Sequence, residues 1–569
     1  VVIKSRFVRL KTGGSAIASH LRYIEREGVT PEGQRGQAYG PETDQADTSD
    51  FIERSQGDRH QFRFIVSPED AREIGDLKDY TRALMARMSV DLQTRLDWVA
   101  VDHWDTDNPH THIVLRGRAD NGQDLVIAPD YMGHGMRVRA GEIATEWLGP
   151  RTELEIAHSL RQEVAQQRVT TLDRSLMRQA ILDRVHVLSL NGDAHYQASL
   201  RARLQHLAGM GLAYQEDARV WRLDTSLELT LRELSDRGDI IRTMHRAMRG
   251  EARELNVSGQ GEQRSIVGRI AAKGLADELR DIGYLVVDGV DGRAHYVRLP
   301  AQSDQGDWPV GGIVSVRPRQ PSVADQNIQA HARDGIYRTA DHLAAIKERN
   351  RSPTDIVQAN VRRLEALRRA GIVERIADGV WRVPGDLAER GAAFDQRRAG
   401  GVTIALRSHL SLAQQTQSEG ATWLDEQLIA GGKDLAAVGF GAQARTAMEK
   451  RLEHLEEKGL AQRRGQRVVL ARNLLRTLRA RELAVAGQRL QAETGLTYKP
   501  LGDDGRASGI YRRSVILASG RYAMLDNGKS FSLVPWKPVL ERRVGQQLSV
   551  TIHGGSTSWN FGKKPSLSL

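Results

Sequence analysis

Two histidines separated by one residue, His110-Thr111-His112, open an apolar run that continues Ile113-Val114-Leu115. Side chains alternate across a strand, so His110 and His112 share one face. The segment Leu96-Asp97-Trp98-Val99-Ala100-Val101-Asp102-His103 also reads as a strand, and Asp105-Thr106-Asp107-Asn108-Pro109 reads as the turn between them. A hairpin folded there sets His103 beside His110. Three imidazoles then converge on one point, the donor set of a divalent cation. Asp105 and Asp107 are the nearby carboxylates that can take the outer ring N–H of a ligating imidazole.

With 569 residues the chain has room for about four domains at roughly 150 residues each. Zero cysteines exclude disulfides and thiolate metal sites, which suits a reducing compartment. No apolar run approaches the roughly 20 residues needed to span a bilayer, so no membrane insertion and a cytoplasmic location are expected. The chain opens on Val1 directly in strand-like sequence, and residues before it are expected. Charge is uneven: residues 1–150 hold 19 basic and 24 acidic side chains, the remainder 63 and 48. Such a basic remainder suits a polyanion, bound with salt-dependent affinity.

An α+β multidomain fold is expected. In residues 1–150, strands at Val2–Leu10, His60–Ser67, Leu96–His103, from His110 and at Leu125–Ile127 alternate with helices at Ser15–Glu27, Pro68–Leu92 and Arg139–Leu148, which describes an antiparallel sheet with helices. Pro31–Arg59 lacks apolar periodicity and reads as a mobile active-site loop or as disorder. Beyond it, Leu204-x-x-Leu207-x-x-x-Gly211, Leu364-x-x-Leu367-x-x-x-Gly371 and Leu452-x-x-Leu455-x-x-x-Gly459 share one pattern, matched loosely by Ala276, Leu279 and Gly283. Each is a helix end capped by glycine. Trp221, Trp381 and Val469 follow ten residues later, on what reads as the returning strand of a hairpin. Winged-helix-like modules are therefore expected over 151–300 and 326–500, with 301–325 as a linker or exposed loop. The acid-free stretch from Gly459 to Arg481 carries seven arginines, among them Arg463, Arg464 and Arg467, a phosphate-contacting surface in this reading. Arg116 and Arg118, following the histidine strand, are further candidates. Short alternating strands after residue 500 predict a small β-barrel or β-roll over 501–569.

On the first helix, Ile17, Leu21 and Ile24 form the buried stripe. Tyr23 lies on its flank with His20 and Glu27, available for chemistry. The His103–His112 run and the segment His20-Leu21-Arg22-Tyr23-Ile24-Glu25-Arg26-Glu27-Gly28 together resemble the HUH endonucleases. The likeness is closer to the relaxases that mobilise plasmids and integrative elements, including those similar to the nuclease that cuts T-DNA borders. It covers residues 1–150, and the tail around Gly520–Leu525 and Leu533–Trp536 resembles a relaxase-associated region of unknown function.

The resemblance implies a metal-dependent nickase acting on single-stranded DNA at a transfer origin. His103, His110 and His112 would hold the metal, Tyr23 would attack the phosphodiester to leave a 5′-phosphotyrosine, and Asp105, with Asp107 behind it, would orient a histidine. Trp104 is a candidate stacking platform for a base. All-histidine ligation by itself suits Mn²⁺, Zn²⁺ or Fe²⁺, whereas the resemblance implies Mg²⁺ or Mn²⁺. It further implies accessory relaxosome proteins, a secretion or coupling apparatus and a bacterial cytoplasm, with transfer alongside the DNA strand. A rolling-circle replication initiator shares this chemistry, and a DNA-binding regulator on an inactive nuclease fold is the alternative of another class.

Overall fold

The computed structural model describes the chain apart from residues 11–14, 27, 106–107, 249–250, 258–264, 300–307, 319–321, 348–352, 400–401, 465–466, 502–504, 542, 554–555 and 562–569. It is a mixed α+β, multidomain fold with antiparallel sheets. The chain divides into two units, Val1–Ile240 with Asp277–Asp281, and Ile241–Ala276 with Ile282–Leu569. Among the described residues, no helix is long and apolar enough to cross a membrane.

The first unit begins with β1 (Val2–Arg9), α1 (Ser15–Ile24), α2 (Thr48–Arg54), β2 (His60–Ser67), α3 (Ala71–Ile74), α4 (Leu77–Asp91), β3 (Trp98–His103), β4 (His110–Arg116) and α5 (Met136–Leu148). Its sheet has the order β1-β2-β4-β3, antiparallel throughout. One face carries Ile3, Phe62, Phe64, Trp98, Ala100, Ile113 and Leu115, packed under α4 and α5 through Leu84, Met88, Met136 and Ile143. On the opposite face, Ile17, Leu21 and Ile24 of α1 cover Val99, Val101 and Val114. The cover is partial. Register pairs His103 with His110, Val101 with His112, Ile65 with His112, Arg63 with Val114 and Arg6 with Arg63, so these side chains share the α1 face.

Three expectations for this region change. Residues 68–92 do not form one helix, because Asp76 caps a new one by accepting from Lys78 N–H. Leu125 and Ile127 are buried against the core but form no strand; Leu125 N–H bonds Gly117 O instead. Residues 31–59 are ordered: Tyr39 exchanges both backbone bonds with Ala100 at the β3 edge, and Phe51 of α2 is buried.

The glycine pattern marks three modules built alike. Helices Ala194–Gly209, Pro353–Arg369 and Gly439–Glu457 carry the leucine pairs, and Gly211, Gly371 and Gly459 take φ of +73°, +71° and +69° after them. Hairpins follow, Ala213–Gln215 with Val220–Leu223, Glu374–Ala377 with Val380–Arg382, and Ala461–Arg464 with Arg467–Leu470. In the first two modules a third short strand joins, Arg184–His186 or Ile336–Arg338.

A polar clamp recurs in each module. The residue just before the first leucine is Arg203, Arg363 or Arg451, and each grips an aspartate of the module's earlier helix: Asp173, Asp325 and Asp425. Arg203 and Asp173 are fully buried, with Nε and Nη2 each 2.8 Å from a carboxylate oxygen. Asp173 also closes a capping box with Thr170, and Asp425 does so with Thr422.

The loose fourth copy is not a module. Ala276 and Gly283 lie on strands Ile266–Asp277 and Ile282–Gly289, with Leu279 in the turn between. Those strands belong to a six-stranded sheet whose order is Val402–Ser408, Ile313–Pro318, Ile266–Asp277, Ile282–Gly289, Arg293–Arg298, Glu254–Val257. Residues 313–318, expected in a linker, are therefore an internal strand with Ile313, Val314 and Val316 buried. Among the described residues, the C-terminal strands form a six-stranded sheet that does not close into a barrel. Its ends do not need to meet, because the helix Leu474–Thr494 covers one face with Ala486 and Leu490 on Val515, Met524 and Phe531.

We expect Arg203→Met to destabilise its module by about 3–5 kcal/mol, because Asp173 is left buried and unpaired. The double variant Arg203→Met/Asp173→Leu should recover much of that loss. Urea unfolding of the three proteins measures it, and an additive double variant would contradict a coupled pair.

Candidate metal centre

His103, His110 and His112 come together as the strand pairing predicts, with ring centroids 4.4–5.3 Å apart. All three are buried, and a fourth donor joins them from Glu278 in the Asp277–Asp281 turn. The four ligand atoms lie within 4.8 Å of one another, a cluster that can hold a metal ion.

The outer ring nitrogens fix the tautomers. His103 Nε2–H donates to Ile24 O at 2.7 Å, and His110 Nδ1–H donates to Asn108 O at 3.0 Å. That leaves the His110 Nε2 lone pair facing the cluster, while the His103 Nδ1 lone pair accepts from Arg26 Nη1, a contact that a bound ion would replace. His110 Nε2 lies 3.3 Å from His112 Nε2, and Glu278 Oε2 lies 3.4 Å from both. Ligands at about 2.0–2.1 Å from a tetrahedral ion stand about 3.3–3.4 Å from each other. The His110–His112–Glu278 triangle has those edges.

Electrostatics agree with a site for a cation. Burial, helped by His112 and Arg26, lowers the His103 pKa to about 2, so this imidazole is neutral. Burial also lowers His112, against the pull of Glu278. At His110 burial acts the same way, but Glu278 outweighs it and raises the pKa. Burial would raise Glu278, yet His110 and His112 hold its carboxyl far below the ordinary range.

Tyr23 flanks the α1 stripe as expected, half-buried against it. The Arg26 guanidinium stacks on its ring, with Cζ 4.4 Å from the ring centre. The same guanidinium sends Nη1 to His103 Nδ1 at 3.3 Å and Nη2 to Asp105 Oδ2 at 3.0 Å. Asp105 is thus linked to the cluster through Arg26, and Tyr23 is linked through the same side chain. Two other tyrosines of this unit are remote from chemistry: Tyr39 and Tyr80 are fully buried in the opposite core, donating to Asp102 and to Ala140 O. Burial and Asp102 push the Tyr39 pKa well up.

Asp107 lies outside the described residues. Arg116 is held between Asp58 and Asp97, with bonds of 2.9–3.0 Å to both. Arg118 is exposed and donates to Gly122 O, Arg463 pairs with Glu456 and Arg464 donates to Gln462. Arg467 begins the returning strand of its hairpin.

Glu278, Arg26 and Arg63 had no signal in the histidine motif. Only Arg26 was within reach of local reasoning, three residues after Tyr23 in the turn that follows α1. A family model, Protein of unknown function (DUF3363), matches residues 200–568. The chain belongs to that family. No curated protein matches it. The DUF3363 stretch starts after the three histidines but includes Glu278.

Protons compete with a cation for His110, so affinity should fall as pH drops below its raised pKa. Glu278→Gln removes a ligand and also the cause of that raise. Titration with Co²⁺, followed by its visible absorption, should show at least about tenfold weaker binding at pH 8. Undiminished affinity would contradict the assigned role of Glu278.

Proposed function

We propose that the first unit is a relaxase-type HUH nickase, which cuts single-stranded DNA at a transfer origin by tyrosine attack. The observation that carries this reading is the helix shared by two groups. The α1 carbonyl of Ile24 fixes the His103 tautomer, and the neighbouring residue is Tyr23, whose ring packs against the Arg26 guanidinium. A nucleophile and a three-histidine cluster are thereby held by one rigid element.

The N₃O donor set fits a divalent transition ion such as Mn²⁺ better than Mg²⁺, which prefers oxygen. When bound, such an ion withdraws charge from a non-bridging phosphate oxygen and makes phosphorus more electrophilic. His103, His110, His112 and Glu278 would hold it. Arg26 adds a fixed positive charge on the Tyr23 side, where a phosphate oxygen and the developing phenolate both benefit. The Tyr23 Oη forms a bond to phosphorus as the P–O3′ bond breaks; its proton passes to solvent, and O3′ takes one from solvent, so the strand leaves with a 3′-hydroxyl. One phosphodiester replaces another, so the step is reversible and allows resealing. Asp105 is a positioning residue here, acting through Arg26. The winged-helix-like modules and their arginines would hold flanking DNA, and a transfer apparatus would be met by the same complex.

Tyr23→Phe keeps the ring under Arg26 but removes the attacking oxygen. Incubation with origin-strand oligonucleotides should give a protein–DNA adduct with the wild type and none with Tyr23→Phe, while metal binding is unchanged. Continued cleavage with a free 5′-phosphate would mean a hydrolase and overturn the reading.

A further inference from the structure

The α1 face of the sheet carries more positive charge than a three-histidine site requires. Arg63 of β2 and Arg6 of β1 supply it beside the cluster, and α1 adds His20 as a neutral donor, its pKa lowered by burial to about 4. Arg63 is 1% exposed and His20 3%. A guanidinium that deep is costly unless paired, and its planar fork suits phosphate as well as carboxylate.

What fills this strip is the chain's own Asp277–Asp281 turn. Asp281 Oδ2 accepts from Arg63 Nη1 at 2.6 Å, and Asp281 Oδ1 accepts from His20 Nδ1 at 2.8 Å. Arg6 donates to the Leu279 carbonyl, and Glu278 meets His110 and His112. Five residues therefore present two carboxylates and a carbonyl along one line of basic groups. A single DNA strand presents anionic oxygens in the same serial way.

We propose that Arg63, His20 and Arg6 form a second phosphate subsite, which takes the linkage next to the one cleaved, and that Asp281 occupies it until single-stranded DNA displaces it. The inference rests on the nickase reading for the identity of the anion. Arg63 then has two partners that exclude each other. Affinity for DNA is set by the difference between them.

The test measures binding of a fluorescein-labelled thymidine 20-mer to the full-length protein by anisotropy, in chelator, so that cleavage plays no part. Asp281→Asn should tighten binding by about tenfold, the worth of one charge-assisted contact. Arg63→Met should weaken binding and erase that gain in the double variant. Arg6→Gln, at a half-buried strand position, makes the same comparison if Arg63→Met does not fold. Asp277→Asn removes an equal charge from the same turn without touching Arg63, and should change affinity little. A gain that survives loss of Arg63 or Arg6, an equal gain from Asp277→Asn, or no gain from Asp281→Asn would each overturn the subsite. The nickase reading fails separately: an adduct at Tyr23 without the Asp281→Asn gain keeps the nickase and removes the subsite, and the gain without an adduct does the reverse.

Discussion

The two-residue period of the β1-β2-β4-β3 sheet is the constraint on which the site depends. The ladder that turns Phe62, Ile113 and Leu115 into the core under α4 and α5 must turn Arg63, His110, His112 and Val114 the other way. A one-residue slip of β4 would turn two imidazoles into the apolar core and Ile113 and Leu115 out of it, so register at the site is enforced by apolar packing on the far face. Helix α1 then covers only the Val99–Val101–Val114 part of the near face. The remaining strip stays polar, and its histidines and arginines are walled by structure rather than dissolved in solvent, which is what gives their charges force.

Net charge is a poor guide to that strip. Residues 1–150 are net acidic, yet the arginines beside the cluster are Arg6, Arg26 and Arg63. Of the acids of this region, Asp105 meets Arg26, while others are spent elsewhere: Asp58 and Asp97 on Arg116, Asp50 on Arg54, Asp91 on Arg139. A field is made by where charges lie, and burial decides which of them count. Arg116 shows the converse. By sequence it follows the histidine strand and reads as a DNA contact, but two carboxylates already use its fork.

Local periodicity carried the sequence reading as far as it reaches. The strand pair, the converging histidines, the flank position of Tyr23 and the three glycine caps all follow from spacings of two to ten residues. Asp173 and Arg203 are thirty residues apart, and Glu278 lies 166 residues beyond His112, so nothing in a window announces either contact. The strand at 313–318 was lost because Gly, Pro and Ser dominate its neighbours while only six residues, Ile-Val-Ser-Val-Arg-Pro, form the strand itself. The barrel was expected because alternation sets a strand's faces but says nothing of what covers them; a helix from before residue 500 does so here.

The Asp277–Asp281 turn joins the readable part of the chain to the part known only as a family of unknown function. The three histidines end at residue 112 and the DUF3363 match begins at 200, yet the fourth donor of the cluster lies inside the match. Three neutral imidazoles would leave a bound divalent ion with its full double charge, whereas one carboxylate would halve it. The same carboxylate raises the His110 pKa, so it favours the proton that would compete with an ion for that ring. A donor with both effects would tune occupancy rather than merely add affinity. That carboxylate comes from a turn whose Asp281 also meets Arg63 and His20, so five residues of the DUF3363 stretch touch both the histidine cluster and the arginine strip beside it.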